Sequence, residues 1–237
     1  MSLRTRDLEF AYHGTPVLQG VDFTARDGEV TALLGQNGAG KSTLLKHFNG
    51  LLQPDAGQVS VDDLAVTEEE ERLREIRSKV GFVFQDAGEQ LIAPTVRQDV
   101  TFGPRNLGVA DSVNVEALLS RVGLTGAGDR HPQTLSNGEQ KRVALAGVLA
   151  MEPAYVVMDE PTAGLDGQGA QTIVGLIQDL IKADVTVLLS THHVDFARRV
   201  ADAVAVLADG EIAYEGDTIE PATADSFGLR TWALEGR

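Results

Sequence analysis

The sequence predicts an α/β fold: a mostly parallel sheet covered by helices on both faces, an antiparallel β-subdomain at the N-terminal end and a helical subdomain inserted between core strands. Three patterns lead there. Four short runs, Val30 to Leu34, Val80 to Phe84, Tyr155 to Met158 and Val185 to Leu189, are almost continuously apolar, as strands buried on both faces are. From Leu3 to Val30 the apolar residues instead mostly alternate (Leu8, Phe10, Tyr12, Val17, Val21, Phe23, Ala25) between His13-Gly14, Gly20 and Asp27-Gly28, which predicts short antiparallel strands. Between Gln85 and Leu135 the strand signal lapses, and Val113 to Val122 reads as helical.

Composition narrows the possibilities. A chain of 237 residues that is 43% hydrophobic can bury one sizeable core. Its longest uncharged apolar stretch, the nine residues Val143 to Met151, is about half of the roughly 18 to 20 that a bilayer-spanning helix needs, so the chain is not expected to cross a membrane itself. Met1 is followed by Arg4, Arg6 and Asp7 without an apolar segment, which predicts no secretory signal. With no cysteine there are no disulfides, thiolate metal sites or thiol catalysis, and a reducing cytosol is suited. Twenty basic residues against 35 acidic ones give a net charge of -15, unfavourable for a phosphate backbone, so no nucleic-acid partner is expected. Only five of the basic residues are lysine, a pattern associated with a high-salt cytoplasm, although a GC-rich genome would also favour arginine.

Taken along the chain, the apolar runs each end in a polar cluster: Gly35-Gln36-Asn37-Gly38, Gln85-Asp86, Asp159-Glu160 and Ser190-Thr191-His192. Open parallel sheets bind ligands beyond the carboxyl ends of their strands, so these clusters mark the expected site. Leu44, Leu45, Phe48, Leu51 and Leu52 are spaced for one face of a helix. Thr67 to Glu70 reads as a capping box opening a charged helix through Arg77, a solvated face rather than a metal site. Ala203 to Leu207 and Glu211 to Tyr214 flank Asp209-Gly210, a hairpin signal. The expected organisation is a single domain, with residues 1–86 and 151–220 forming the core and its antiparallel β-subdomain, 87–150 the helical subdomain and 221–237 a tail.

Gly35-Gln36-Asn37-Gly38-Ala39-Gly40-Lys41-Ser42 fits G-x-x-x-x-G-K-[ST], and it follows an expected strand and opens an expected helix running on through Thr43. The fold class is therefore a P-loop NTPase core. Glycines let the loop's N–H groups turn toward phosphate oxygens, the helix start adds a positive dipole end, Lys41 reaches the β and γ phosphates, and Ser42 ligates Mg²⁺. Asp159 and Glu160 place two carboxylates at the tip of a buried strand, where they need a cation; Asp159 fits the residue that holds Mg²⁺ and Glu160 the base that orients an attacking water. Ser136 and Glu139 form a capping box in front of the apolar helix Val143 to Met151.

Together these motifs resemble the nucleotide-binding domain of ATP-binding cassette (ABC) proteins over nearly the whole chain. The resemblance implies that Leu135 to Gln140, with Ser136, Asn137, Gly138 and Glu139, is the signature motif that binds the γ-phosphate of ATP held by a second subunit. It also implies that Gln85 is the Q-loop glutamine and a Mg²⁺ ligand, that Ala163-Gly164-Leu165-Asp166 is the D-loop, that His192 is the switch histidine and that Tyr12 stacks on adenine. Asn137 stands where the family commonly has glycine, and His193 where aspartate often follows the switch histidine. A metal site at His192-His193 is not expected, since neighbours on a strand point to opposite faces. His13, His47 and His131 read as loop or helix-surface residues.

The segments Gln85 to Val96, Asp99 to Gly108 and Gly147 to Pro153 look like the ATPase subunits of energy-coupling-factor (ECF) importers and cobalt or nickel importers. The resemblance implies uptake of a transition-metal ion or a vitamin through separate integral membrane subunits, with Gln85 to Val100 as the coupling segment. It implies a peripheral location on the cytoplasmic face of the cell membrane and a second ATPase subunit, identical or paralogous. The alternative is a cassette ATPase that transports nothing, such as one of iron-sulfur assembly, against which the Ala-Pro-Thr-Val and Phe-Gly-Pro segments argue.

Overall fold

The structure, a computed structural model, describes residues 2–229; Met1 and the last eight residues of the expected tail, 230–237, lie outside it. All four apolar runs are strands: β3 (Val30–Leu34), β6 (Val80–Val83), β7 (Tyr155–Met158) and β8 (Thr186–Thr191), with every residue buried. With β9 (Ala203–Ala208) and β10 (Glu211–Gly216) they form a six-stranded sheet in the order β10-β9-β3-β8-β7-β6. Every pairing in it is parallel except the β9–β10 hairpin. Its turn, Asp209-Gly210, has φ 50° and 83°, the left-handed pair that a tight hairpin requires. Both faces of the sheet are covered: Val30, Ala32 and Leu34 join one apolar core and Leu33 the other.

The N-terminal strands are antiparallel as expected but longer. β1 (Ser2–Tyr12) and β2 (Thr15–Arg26) are separated at His13-Gly14 and β2 ends before Asp27-Gly28, as expected, but β2 runs unbroken through Gly20. Asp7 and Gly20, at φ 47° and 71°, lie on either side of the Leu8–Val21 pair, and the ladder shifts register on both sides of that pair, so a residue that looks like a turn is absorbed as a bulge. The sequence reading missed β4 (Ala56–Val61) and β5 (Leu64–Ala65), which complete a four-stranded sheet in the order β2-β1-β4-β5. Gly57 lets β4 pass β1, since a Cβ there would lie 2.0 Å from Asp7 O.

Two helices differ from expectation. α1 (Lys41–His47) stops at Phe48, so Leu51 and Leu52 lie beyond it and Leu51 is exposed. Gly50 turns the chain at φ 66°, and Arg77 donates to the carbonyls of Asn49 and Gly50 at 3.1 and 3.2 Å, taking up acceptors that a continuing helix would have used. α2 (Glu70–Lys79) begins three residues after Thr67, whose hydroxyl accepts from Glu69 N at 3.4 Å in a local turn and does not cap the helix. The two sheets are tied where the Tyr155 hydroxyl, at the start of β7, donates to Asp62 in the β4–β5 turn, with Lys79 Nζ 3.3 Å from the same carboxylate.

Residues 87–150 hold α3 (Val96–Val100), α4 (Phe102–Asn106), α5 (Val115–Arg121) and α6 (Asn137–Leu149) with three short 3₁₀ turns. Gln90 lies along the β6 edge, its Oε1 accepting from Phe84 N at 3.1 Å and its Nε2 donating to Phe82 O at 3.0 Å. Asp99 Oδ1 accepts from Ile92 N and Ala93 N at 3.0 and 2.9 Å, fixing the bend that leads into α3. α7 (Gly167–Lys182) and α8 (Val194–Val200) cover the sheet, and α9 (Pro221–Ser226) lies in the stretch expected as a tail, with Ala224 and Leu229 buried.

Candidate nucleotide site

The phosphate loop joins β3 to α1. Gly40 is the left-handed cap of α1 at φ 101°, where a Cβ would press on Val17 and Leu18 at 3.1 and 3.2 Å. A Cβ on Gly35 would lie 2.6 Å from Leu207 O. Lys41 opens α1 almost wholly buried; its Nζ donates to Gly35 O at 2.8 Å and Gln36 O at 3.2 Å, and stands 3.5 Å from Glu160 Oε1.

All four polar clusters contribute to one cleft of about 470 Å³ or its immediate neighbour. Tyr12, Asn37, Gly38, Gly40, Lys41, Ser42, Thr43, Gln85, Glu160 and His192 all line the first. A second cleft of about 440 Å³ shares Ser42 and Gln85 with it and reaches Asp159, Asn137 and Lys141. Gly35, Gln36 and Ala39 line a third hollow of about 930 Å³ instead, with the chain after α9; Gln36 Nε2 donates to Phe227 O there at 2.9 Å.

The remaining expected residues have other immediate partners. The Ser136–Glu139 capping box is complete, with Ser136 N donating to Glu139 Oε2 at 2.8 Å and Glu139 N to Ser136 Oγ at 3.3 Å. The Ser136 N–H and hydroxyl together with Arg130 outweigh desolvation and hold the Glu139 carboxyl below its usual value. Gly138 packs close to Leu165, to which a Cβ would come within 3.1 Å. Asp166 Oδ1 caps α7 through Gly169 N at 2.7 Å. Of the motif expected as the signature, 135–140, Asn137 and Gln140 line a cleft that also contains Ser42.

Past β7 the chain turns sharply. Asp159 and Glu160 are buried, and Glu160 has a positive φ of 46°, uncommon for a residue with a long side chain. Ser190 Oγ donates to Asp159 Oδ1 at 2.6 Å and accepts from Glu160 N at 2.9 Å. Lys141 Nζ donates to Glu160 O at 2.9 Å and Ala163 O at 3.1 Å. His192 Nδ1 lies 3.0 and 3.1 Å from the two Glu160 carboxylate oxygens, so the carboxylate sits between an ammonium and an imidazole.

The sequence placed Ser190 only within the Ser190-Thr191-His192 cluster at the expected site, without a role, and gave Lys141 no role. Lys141 is in phase with Ala144, Leu145 and Val148 on the buried side of α6, and a lysine on that stripe was the available signal. Burial, foremost, pulls its pKa down. His192 and His193 do not point apart: β8 ends at Thr191, His193 immediately precedes α8 without a side-chain cap bond, and the two rings lie 4.0 Å apart. Burial and then the neighbouring His192 depress the pKa of His193. His47 is fully buried against Phe10 and so is no surface residue, its Nδ1 2.7 Å from Thr43 O.

A cation is compatible with this donor set. Among the described residues no three His, Cys, Asp or Glu side chains cluster as a metal site. Ser42, Gln85 and Asp159 offer oxygen atoms around one cleft, suited to a hard ion that keeps water and phosphate among its ligands.

Comparison with known proteins agrees with this geometry. The ABC transporter family model matches residues 18–163. The chain belongs to the ABC transporter family. Within that family it resembles the energy-coupling factor transporter ATP-binding protein EcfA of Methanocaldococcus jannaschii, 47% identical over 218 residues, 90% of this chain and 78% of that protein. The EcfA of Methanoculleus marisnigri is 46% identical over 226 residues, covering 93% and 81%. Among solved structures, CbiO1 from Clostridium perfringens, described as part of the ABC transporter complex CbiONQ, superposes with a TM-score of 0.79 at 38% identity, over 91% of this chain and 88% of that one. The dimeric ABC transporter cassette MJ0796 gives 0.82 at 26% identity, over 92% and 99%, and has also been seen as a post-hydrolysis dimer bound to ADP and Pi. This ABC protein is an ATP-hydrolysing, ATP-binding subunit. Among its described residues no helix is long and apolar enough to cross a membrane.

Proposed function

We propose that the chain is the ATPase of an ECF-type importer, energising uptake of a transition-metal ion such as cobalt or nickel, or of a vitamin, through separate membrane subunits. The observation that carries the chemistry is the Glu160 carboxylate held between Lys41 and His192 above the phosphate loop. Lys41 and the loop N–H groups bind the β and γ phosphates, His192 contacts the γ phosphate, and Tyr12, 42% exposed at the rim, stacks on adenine. Glu160 orients the attacking water and accepts its proton. Bound Mg²⁺, held by Ser42, Gln85 and Asp159, would neutralise charge building on the phosphate oxygens. Ser136, Asn137, Gly138, Glu139 and Asp166 serve the ATP of a second ATPase subunit, identical or paralogous.

The transport reading draws on the EcfA relatives and on the surface that follows Gln85. Ile92 is 67% exposed and Phe102, Leu107 and Val109 are 42–47% exposed, all large apolar groups in the helical segment. Exposed apolar groups of this kind suit docking to a membrane subunit, which would place the protein on the cytoplasmic face of the membrane. Leu91 packs against the core, so Ile92 is the position at which to test docking. Native chain isolated from its own membranes is expected to carry integral membrane subunits, and Ile92→Glu to shed them with unchanged ATP affinity and melting temperature. Purification with soluble partners alone, or full retention by Ile92→Glu, would count against import and coupling respectively.

A further inference from the structure

We propose that Lys141 is a positioning residue that keeps the Glu160 carboxylate aimed at the attacking water by pinning the backbone turn from which it projects. The proposal rests on the reading of Glu160 as the base. Glu160 occupies a left-handed backbone conformation that glycine or asparagine adopts far more readily, so neighbouring structure has to hold it there. Its peptide groups are gripped from both sides: the N–H by Ser190 Oγ at 2.9 Å and the C=O by Lys141 Nζ at 2.9 Å.

Lys141 does more than satisfy one acceptor. Its ammonium spans Glu160 O and Ala163 O, the two ends of the turn Glu160-Pro161-Thr162-Ala163, and so fixes its curvature. Among the described residues it forms no ion pair within 4.0 Å, although it is only 3% exposed. Burying an ammonium without a carboxylate contact is costly, and a leucine or methionine would fit the same apolar stripe of α6 more cheaply. The two carbonyls are what the lysine contacts and an apolar residue could not. Because Lys141 lies one turn into α6, a shift of the Ser136–Asn137 end would be delivered directly to the Glu160 turn.

The test compares Lys141→Met, Glu160→Gln and the double variant, with Lys141→Gln as a second replacement that keeps one donor. Lys141→Met is expected to lower kcat about 100-fold, the cost of a misplaced reacting group, with KM and ATP affinity within about twofold of native. Amide exchange across residues 159–166 should accelerate before any nucleotide is added. In the Glu160→Gln background Lys141→Met should lower kcat no further, because the group it positions has gone. Equal losses in both backgrounds, or a native kcat in Lys141→Met, would overturn the proposal. Should Lys141→Met fail to fold, Lys141→Ala takes its place with the same two overturning outcomes, and Lys141→Gln, which keeps a donor for one of the two carbonyls, should lose less than the variant that keeps none. Full turnover by Glu160→Gln alone would instead defeat the reading of Glu160 as base, and the proposal with it, whatever the Lys141 variants do.

Discussion

At the tip of β7 two adjacent carboxylates are almost closed off from solvent, and each is met by a different set of groups: Ser190 at Asp159, Lys41 and His192 at Glu160. If Glu160 takes the proton of water, Glu160→Gln should bind ATP with near-native affinity and turn it over roughly 10² to 10⁴-fold more slowly, measured by phosphate release under saturating ATP. His47 offers a different residue-scale experiment. Burial depresses its pKa below the ordinary 6.5, so the unfolded chain takes up a proton at a pH where the native state does not. Stability should therefore fall as pH drops through about 6.5 and level off below the native pKa, and His47→Gln should flatten the change in urea midpoint between pH 7.5 and 5.5. His193 is depressed in the same direction, so some slope will remain. The phosphate loop and Glu160 were legible from residue type and context. His47 was not, because its partner Phe10 is remote in sequence and only the β1–α1 packing puts them together.

Among the elements, strands proved readable where their residues were uniformly apolar and unreadable where pairing alone decides. β4 is exposed over Ala56–Gln58 and needs Gly57 to lie against β1, which no local pattern announces. α1 shows the converse: its apolar spacing continues to Leu52, but the chain turns at Gly50 and Arg77 claims the carbonyls. The capping box at Ser136 was read correctly because both of its partners lie within four residues. Between elements, Tyr155 and Asp62 join the two sheets. Burial opposes ionisation of Asp62, yet the Tyr155 hydroxyl and Lys79 outweigh it and hold the carboxyl below its usual value; burial, then Asp62, pushes the phenol well above its own. Tyr155→Phe removes one bond and leaves the Lys79 pair, a loss of about 1.5–3 kcal/mol for a hydrogen bond to a charged group. For a chain of this size that is about 3–12 °C in melting temperature, readable by calorimetry.

On the scale of the molecule, Ser136, Gly138 and Glu139 of the expected signature line neither of the two clefts that contain Ser42, whereas Asn137 and Gln140 line one of them, and the resemblance gives this motif to the ATP of a second subunit. With hydrolysis slowed by Glu160→Gln, sedimentation should show a dimer that forms only with ATP; a chain that stays monomeric at saturating ATP and high protein concentration would point to a paralogous partner. Among the described residues the six-stranded sheet ends in two edges that pair with no further strand, and they are guarded differently. β10 carries Glu211 and Glu215 on its exposed positions, whereas β6 has no charge at all and turns Phe82 O and the adjoining Phe84 N toward the side chain of Gln90. An open strand edge templates pairing with another chain, and the Gln90 side chain occupies one acceptor and one donor that such a chain would use. Gln90→Ala should leave the nucleotide cleft intact yet make concentrated, nucleotide-free protein scatter light progressively on storage, and unchanged colloidal behaviour would deny the side chain that protective part.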